Sequence, residues 1–245
     1  MKKKTKGIAL ALMMLLLCPN TLFAQNNDNS RFYVGIQGGI PMAMSSTSSF
    51  GGDKTRCGWS AGIFVGNQFT DVFGIEFQLN MGKACMSPRE CCDVGYNWLG
   101  EDGNHYISSI LDMPSYHYNA LMSKVALFDY GLHFNFNMLP LFMSSPSRWS
   151  VMLSPGVTTQ SSKATIYVIE DNSKFISRPA AWNVGLSCRL HVAYAVTPDI
   201  SLGLYTGLTY VSGDGIDGFP RFYHSANTIW DSGLRLTYSL KKGGR

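Results

Sequence analysis

The sequence predicts an all-β fold: an eight-stranded antiparallel up-and-down transmembrane β-barrel with short turns at one end and long loops at the other. Three observations carry the prediction. Eight segments alternate with period two, their connections alternate between short and long, and one face of each segment holds glycines and a few charges where a soluble sheet would show Lys, Glu and Thr.

The chain opens with Lys2, Lys3, Lys4 and Lys6, continues through the apolar run GIALALMMLLL and reaches the junction TLFAQ, the three parts of a secretory signal. At about 11 residues the run is shorter than the roughly 20 that a membrane-spanning helix needs. Cys18 suggests a lipoprotein site, but the bulky Leu17 before it speaks against one. Residues 1–24 are read as a signal peptide and 25–245 as one barrel domain, because no linker or internal repeat divides them.

The strands follow in order. In FYVGIQGGI, Phe32, Val34, Ile36 and Ile40 oppose Tyr33, Gly35 and Gln37. In WSAGIFVGNQF, Trp59, Ala61, Ile63, Val65 and Phe69 oppose Ser60, Gly62, Gly66 and Gln68. FGIEFQLNMGK sets Phe73 to Met81 against Glu76, Gln78 and Asn80, and FDYGLHFNFN sets Phe128 to Phe136 against Asp129, His133 and Asn135. A fifth, weaker strand runs from Trp149 to Thr159, with Pro155 interrupting its pattern. AWNVGLSCRLHVAYAV, ISLGLYTGLTY and IWDSGLRLTYSL complete the eight. The connections TDV, LPLFMSSPSR and TPD are short; those at 41–56, 84–124, 160–179 and 212–224 are long. Short turns therefore gather in the periplasm and long loops outside.

Which face is inside decides between a soluble sandwich and a membrane barrel, since both alternate. Segments of about 10 to 16 residues exceed the usual soluble strand of about 5 or 6 and suit the 9 to 11 tilted residues that cross a bilayer. An eight-stranded lumen is just wide enough to be filled by side chains, which explains a minor face crowded with glycine. Trp149 lies at the short-turn end while Trp59, Trp182 and Trp230 lie toward the loops, all on the apolar face; with Tyr238 they are expected to form an aromatic girdle. The apolar face is therefore expected to meet lipid.

The net charge of +4 loses its meaning once the four signal lysines go, because 16 basic and 16 acidic residues then remain. No basic cluster supports nucleic-acid binding. The expected surroundings are the lipid bilayer and lipopolysaccharide, with an envelope or extracellular protein partner reached through loop 84–124. That loop interleaves Tyr96, Trp98, Tyr106, Tyr116 and Tyr118 with Glu101, Asp102 and Asp112, a mixture found at recognition surfaces and equally in a loop folded over a barrel mouth.

By FYVGIQGGIP, WSAGIFVGNQF with its tight turn, GIEFQLN and the closing GLRLTYSL, the stretch from Arg31 to Arg245 resembles the small OmpA/OmpX-like outer-membrane barrels, and more closely the PorT-like barrel proteins of Bacteroidetes. The resemblance implies a cell outer membrane location and, for PorT-like proteins, an accessory role in protein export. The chain departs from proteobacterial barrels in ending SLKKGGR without a terminal aromatic residue, and no wall-anchoring role is expected of it.

Glu76, Asp129, His133, Arg189, His191, Asp231 and Arg235 all fall on the minor face and are expected to share the lumen, as a plug of paired charges or as an ion path. Cys57, Cys85, Cys91 and Cys92 are expected to form one or two disulfides stapling the long loop, and Cys188 to be a free thiol on the lipid face. Their spacing is not that of a metal site. No cofactor and no catalytic residue is expected: the His-x-Ser motif of lipid A deacylases is absent, and His224 and Ser225 with Asp214, Asp217 and Asp231 offer only a distant likeness to an acyl-transfer or omptin-like site.

Overall fold

The computed structural model describes residues 31–45, 56–87, 97–143, 147–213, 216–220 and 227–240. The signal segment, and Tyr96 in the long loop, lie outside them. Eight long strands form the barrel: β1 (Arg31–Met44), β2 (Arg56–Gln68), β3 (Phe73–Met86), β7 (Leu121–Asn137), β8 (Trp149–Val168), β10 (Ala181–Ala195), β11 (Ile200–Val211) and β12 (Asn227–Leu240). Each pairs antiparallel with its sequence neighbour, β12 pairs with β1, and β8 pairs with β10, so the sheet closes on itself. Closure leaves no barrel edge, which is the condition for strands in hydrocarbon. Three short strands, β4 (Trp98–Gly100), β5 (His105–Tyr106) and β6 (Ser115–His117), make a separate small sheet in the loop before β7. A last strand, β9 (Lys174–Ser177), folds back on β8.

The short turns are built alike. Thr70 Oγ1 accepts the backbone N–H of Val72 at 3.3 Å and of Phe73 at 2.9 Å, and Thr197 Oγ1 accepts those of Asp199 at 3.3 Å and Ile200 at 3.0 Å. A hydroxyl that satisfies two turn amides reverses the chain in a few residues. The third connection carries a single helical turn at Leu139–Phe142. Pro155 does not end its strand. The β7–β8 ladder lapses opposite it and resumes in the same register, while Pro155 stays aligned with Cys188 on β10.

The apolar face points outward. Leu186 is 64% exposed and Leu204 62%, whereas Arg189 is 5%, Arg235 4% and Glu76 0% exposed. No soluble fold exposes its leucines and buries its guanidinium groups. The chain is a membrane-spanning barrel.

One expectation is corrected. The connection expected at 160–179 is mostly strand: β8 continues to Val168, turns over 169–173 with Asn172 at φ 56°, and returns as β9. Loop 84–124 is likewise shorter than expected, because β3 reaches Met86 and β7 begins at Leu121. The cause is an inversion of phase. In the lower part of β8, Val151, Leu153 and Val157 face outward and Ser154, Thr158 and Gln160 inward; above it Lys163 and Thr165 face outward while Ala164, Ile166 and Val168 are buried within. The strands leave the bilayer there and carry on in water with an ordinary apolar interior. That interior packs Ala84, Met86, Val125, Leu127, Ala164, Val211, Ile216 and Ile229 into one cluster above the lumen.

Register locates the boundary. Ala61, Met81, Phe128, Ser161 and Trp182 align side by side across β2, β3, β7, β8 and β10, and the next outward row up reads Trp59, Lys83, Ala126 and Lys163. Trp59, Trp182 and Trp230 lie toward the loop ends of their strands, Trp149 and Tyr238 toward the turns, and all five are exposed. Trp149 packs on Tyr194 with ring centroids 5.0 Å apart. The Trp230 indole N–H does not seek the interface: it donates to Thr206 Oγ1 at 2.7 Å, and that hydroxyl pairs with Ser232 at 2.7 Å.

Candidate functional site

All seven charged or imidazole residues assigned to the lumen from the sequence face inward, and most join one network. Arg235 forms an ion pair with Glu76, lies 3.5 Å from the centre of the Phe64 ring, and donates through Nη1 to His191 Nδ1 at 3.2 Å. His191 therefore accepts at Nδ1 and carries its proton on Nε2. Glu76 also accepts from Gln78 Nε2 at 2.5 Å and Asn135 Nδ2 at 3.3 Å, and Asn135 Nδ2 donates in addition to the Tyr33 hydroxyl at 2.7 Å. Gln78 Oε1 accepts a hydrogen bond from Arg189, which lies 4.0 Å from Asp129. Asn80 links Asp129, to which it donates at 3.0 Å, with Gln37, from which it accepts at 2.6 Å.

Two members stand apart. Asp231 accepts from Ser60 at 3.1 Å and from the Tyr205 hydroxyl at 3.0 Å. His133 is fully buried and exchanges a hydrogen bond with Ser187 at 2.8 Å. Its ring lies over glycine: a Cβ on Gly131 would fall 2.8 Å from His133 Cε1, closer than real side chains approach. Small residues on this face are what lets the large ones lie flat.

Each guanidinium has a carboxylate neighbour, and the amides of Gln78, Asn80 and Asn135 fill the directions between. A polar cavity of about 30 Å³ lies between Ser60, Asp129, Thr158, Gln160, Arg189 and Asp231, the size of a water or two. Above it lies the apolar cluster of the upper strands. Alternation alone puts the amides and tyrosines on the minor face, but it gives them no distinguishing mark. The pairings join residues up to 171 positions apart, which only the closed barrel reveals.

The extracellular end is a folded platform. Leu99, Tyr118, Leu121, Ile166, Val168 and Phe219 form a second buried cluster that seats the β4–β6 sheet and the 216–220 segment on the extended strands. Burial, with the Asp217 carboxylate nearby, pushes the Tyr118 phenol well above its ordinary pKa. Arg178 carries no signal in the sequence. Its Nε donates to Gly218 O at 3.0 Å and its Nη2 to Gly103 O at 2.6 Å, so one side chain ties three loops together. Both glycines have positive φ, 77° and 81°, a conformation that glycine adopts freely. Within the small sheet's turn, Asp102 accepts from the Tyr106 hydroxyl at 2.6 Å and the Asn104 backbone amide at 3.0 Å, and these bonds hold its carboxyl below the usual carboxylate range. Beyond it Ile107 is 86% and Leu111 100% exposed.

Cys57 and Cys85 carry free thiols, as does the exposed Cys188. Cys91 and Cys92 lie outside the described residues, and with them the expected loop staple. His224, Ser225 and Asp214 do as well. Asp217 accepts from Ser45 Oγ at 2.5 Å and from the Phe219 backbone N–H at 3.2 Å, capping its own turn, while Asp231 belongs to the lumen. Among the described residues no three His, Cys, Asp or Glu side chains converge as metal ligands would.

No family model matches the chain, and no curated protein matches it by sequence. Solved structures of similar fold exist. A major outer membrane protein from Thermus thermophilus is 13% identical with a TM-score of 0.49, over 86% of this chain and 99% of that one. Neisserial surface protein A is 14% identical with a TM-score of 0.47, over 85% and 97%. Outer membrane protein OprG from Pseudomonas aeruginosa is 11% identical with a TM-score of 0.44, over 86% and 96%. At these similarities no residue role passes from them to this chain, which is itself a closed antiparallel barrel of eight membrane-spanning strands.

Proposed function

We propose that the chain is a non-enzymatic integral protein of the outer membrane whose work is interaction or envelope integrity, carried by the extracellular platform. The observation that supports it is the contrast between the two ends of the lumen. The membrane section holds paired charges and amides, an apolar cluster lies above them, and the described loops form a folded surface that leaves Ile107 and Leu111 bare. Bare apolar groups on an ordered loop suit protein contact. Lipid and lipopolysaccharide surround the belt in this reading, and no cofactor is invoked.

The test pairs the whole protein with a variant in which residues 101–114 are replaced by a short Gly-Ser turn. Both are expected to migrate faster on gels before boiling than after, and neither to give conductance steps in planar bilayers. Only the whole protein should restore envelope integrity or partner capture in cells lacking it. Stepwise conductance from the whole protein would overturn the reading. The sequence resemblance to PorT-like barrels supports a second one, an accessory factor in protein secretion. Its mark would be loss of exported surface proteins on deletion, with the platform-deleted variant failing to restore them.

A further inference from the structure

Lys83 and Lys163 stand in one outward row, on β3 and β8, with only Ala126 of β7 between them. Two strand spacings set their Cα atoms about 10 Å apart. Immediately beneath lie Met81, Phe128 and Ser161, one residue pair or about 7 Å lower along the strands, with Trp182 of β10 beside Ser161 in the same row. Trp59 is the register partner of Lys83 on β2 and extends the same row. Both lysines are exposed, and among the described residues neither is paired with a carboxylate, the ion pairs being inside the lumen. Lys124, one residue pair higher, is held otherwise: it donates to Asn172 Oδ1 at 2.7 Å and sits 4.5 Å from the centre of the Tyr167 ring.

The lysines are also confined to one flank. The row Tyr210, Thr228 and Met44 on the opposite strands β11, β12 and β1 carries no charge. Lysines that merely flanked the bilayer would have no reason to gather on β3 and β8. Two ammonium groups with no carboxylate partner among the described residues, set just above a lipid-facing row that includes Phe128 and Trp182, meet the level where lipid phosphates lie. Resting on the outer-membrane reading above, we propose that this flank binds a phosphorylated lipid of the outer leaflet, one that offers an anionic group to each of Lys83 and Lys163 while its acyl chains lie against Met81 and Phe128.

The test uses the refolded mature chain in phosphatidylcholine nanodiscs doped with bis-phosphorylated lipid A or with its monophosphorylated form, native mass spectrometry counting retained lipid. The bis-phosphorylated form should be retained in preference to the other. The K83Q/K163Q double variant should hold it roughly thirty-fold more weakly, at about 1 kcal/mol per lysine, and R148Q at the other end of the barrel should not change it. Equal retention by the double variant would overturn the proposal. So would displacement by excess inorganic pyrophosphate, which would make this a site for soluble anions. A wild-type chain whose gel migration does not change on boiling would overturn both the barrel reading and the lipid site, whereas the other outcomes bear on the lipid site alone.

Discussion

The lower and upper halves of β3, β7 and β8 are the same strands in opposite solvents. In the lower half Leu132, Leu153 and Phe134 are exposed around a buried Glu76, Gln78 and His133; in the upper half Lys163 and Lys83 are exposed around a buried Ala164, Ile166 and Val125. Neither the hydrogen-bond ladder nor the register changes between them. The backbone is indifferent to which face is greasy, and only the side chains declare where the membrane ends.

The comparison breaks most severely where a lower-half charge loses its partner. Arg235→Met leaves the Glu76 carboxylate unpaired in the lumen and should cost about 3–5 kcal/mol in urea unfolding from detergent, whereas Glu76→Gln combined with Arg235→Met should recover much of that loss. If the double variant is no more stable than Arg235→Met alone, the pair does not dominate the lumen. Next in size is the outer surface. Leu204→Arg should destabilise by about 2–4 kcal/mol, as an arginine does near the bilayer midplane. Thr165→Arg, equally outward but in the upper half, should stay within about 0.5 kcal/mol. Similar costs at the two positions would erase the boundary.

Arg178→Met removes two charge-assisted bonds from the platform and should cost about 1.5–3 kcal/mol locally. Protease cleavage within 101–114 should speed up while the boiled and unboiled gel bands stay as they were. The smallest effect concerns pH. The Asp102 carboxyl is lowered by the Tyr106 hydroxyl and the Asn104 amide. Its contribution to the turn is therefore present above the unfolded value near 4 and fades as pH falls through the lowered one. Amide exchange at Asn104 should quicken only in that acid window, and Asp102→Asn should abolish the dependence.

Much of the fold was legible because period two is written locally. Leu186 and Arg189 lie three residues apart, so a strand sends them to opposite faces, and the glycines on the inner face said which was which. The upper half of β8 was missed for a related reason. Ser161, Lys163 and Thr165 read as loop when apolar residues are sought in one phase, although Ala164, Ile166 and Val168 keep the same period in the other. Site membership was legible on the same ground, as His133 and His191 show. Partners were not, since Glu76 meets Arg235 only through closure of β1 on β12. Arg178 had no local signal, because its acceptors are carbonyls of two distant loops.

The 20 residues of β8 extend about 66 Å along the strand. At a tilt near 40° that is roughly 50 Å of height, about twice the apolar band of a bacterial barrel. The barrel is thus a pedestal, and the β4–β6 sheet rests on its top, above the bilayer rather than at its surface.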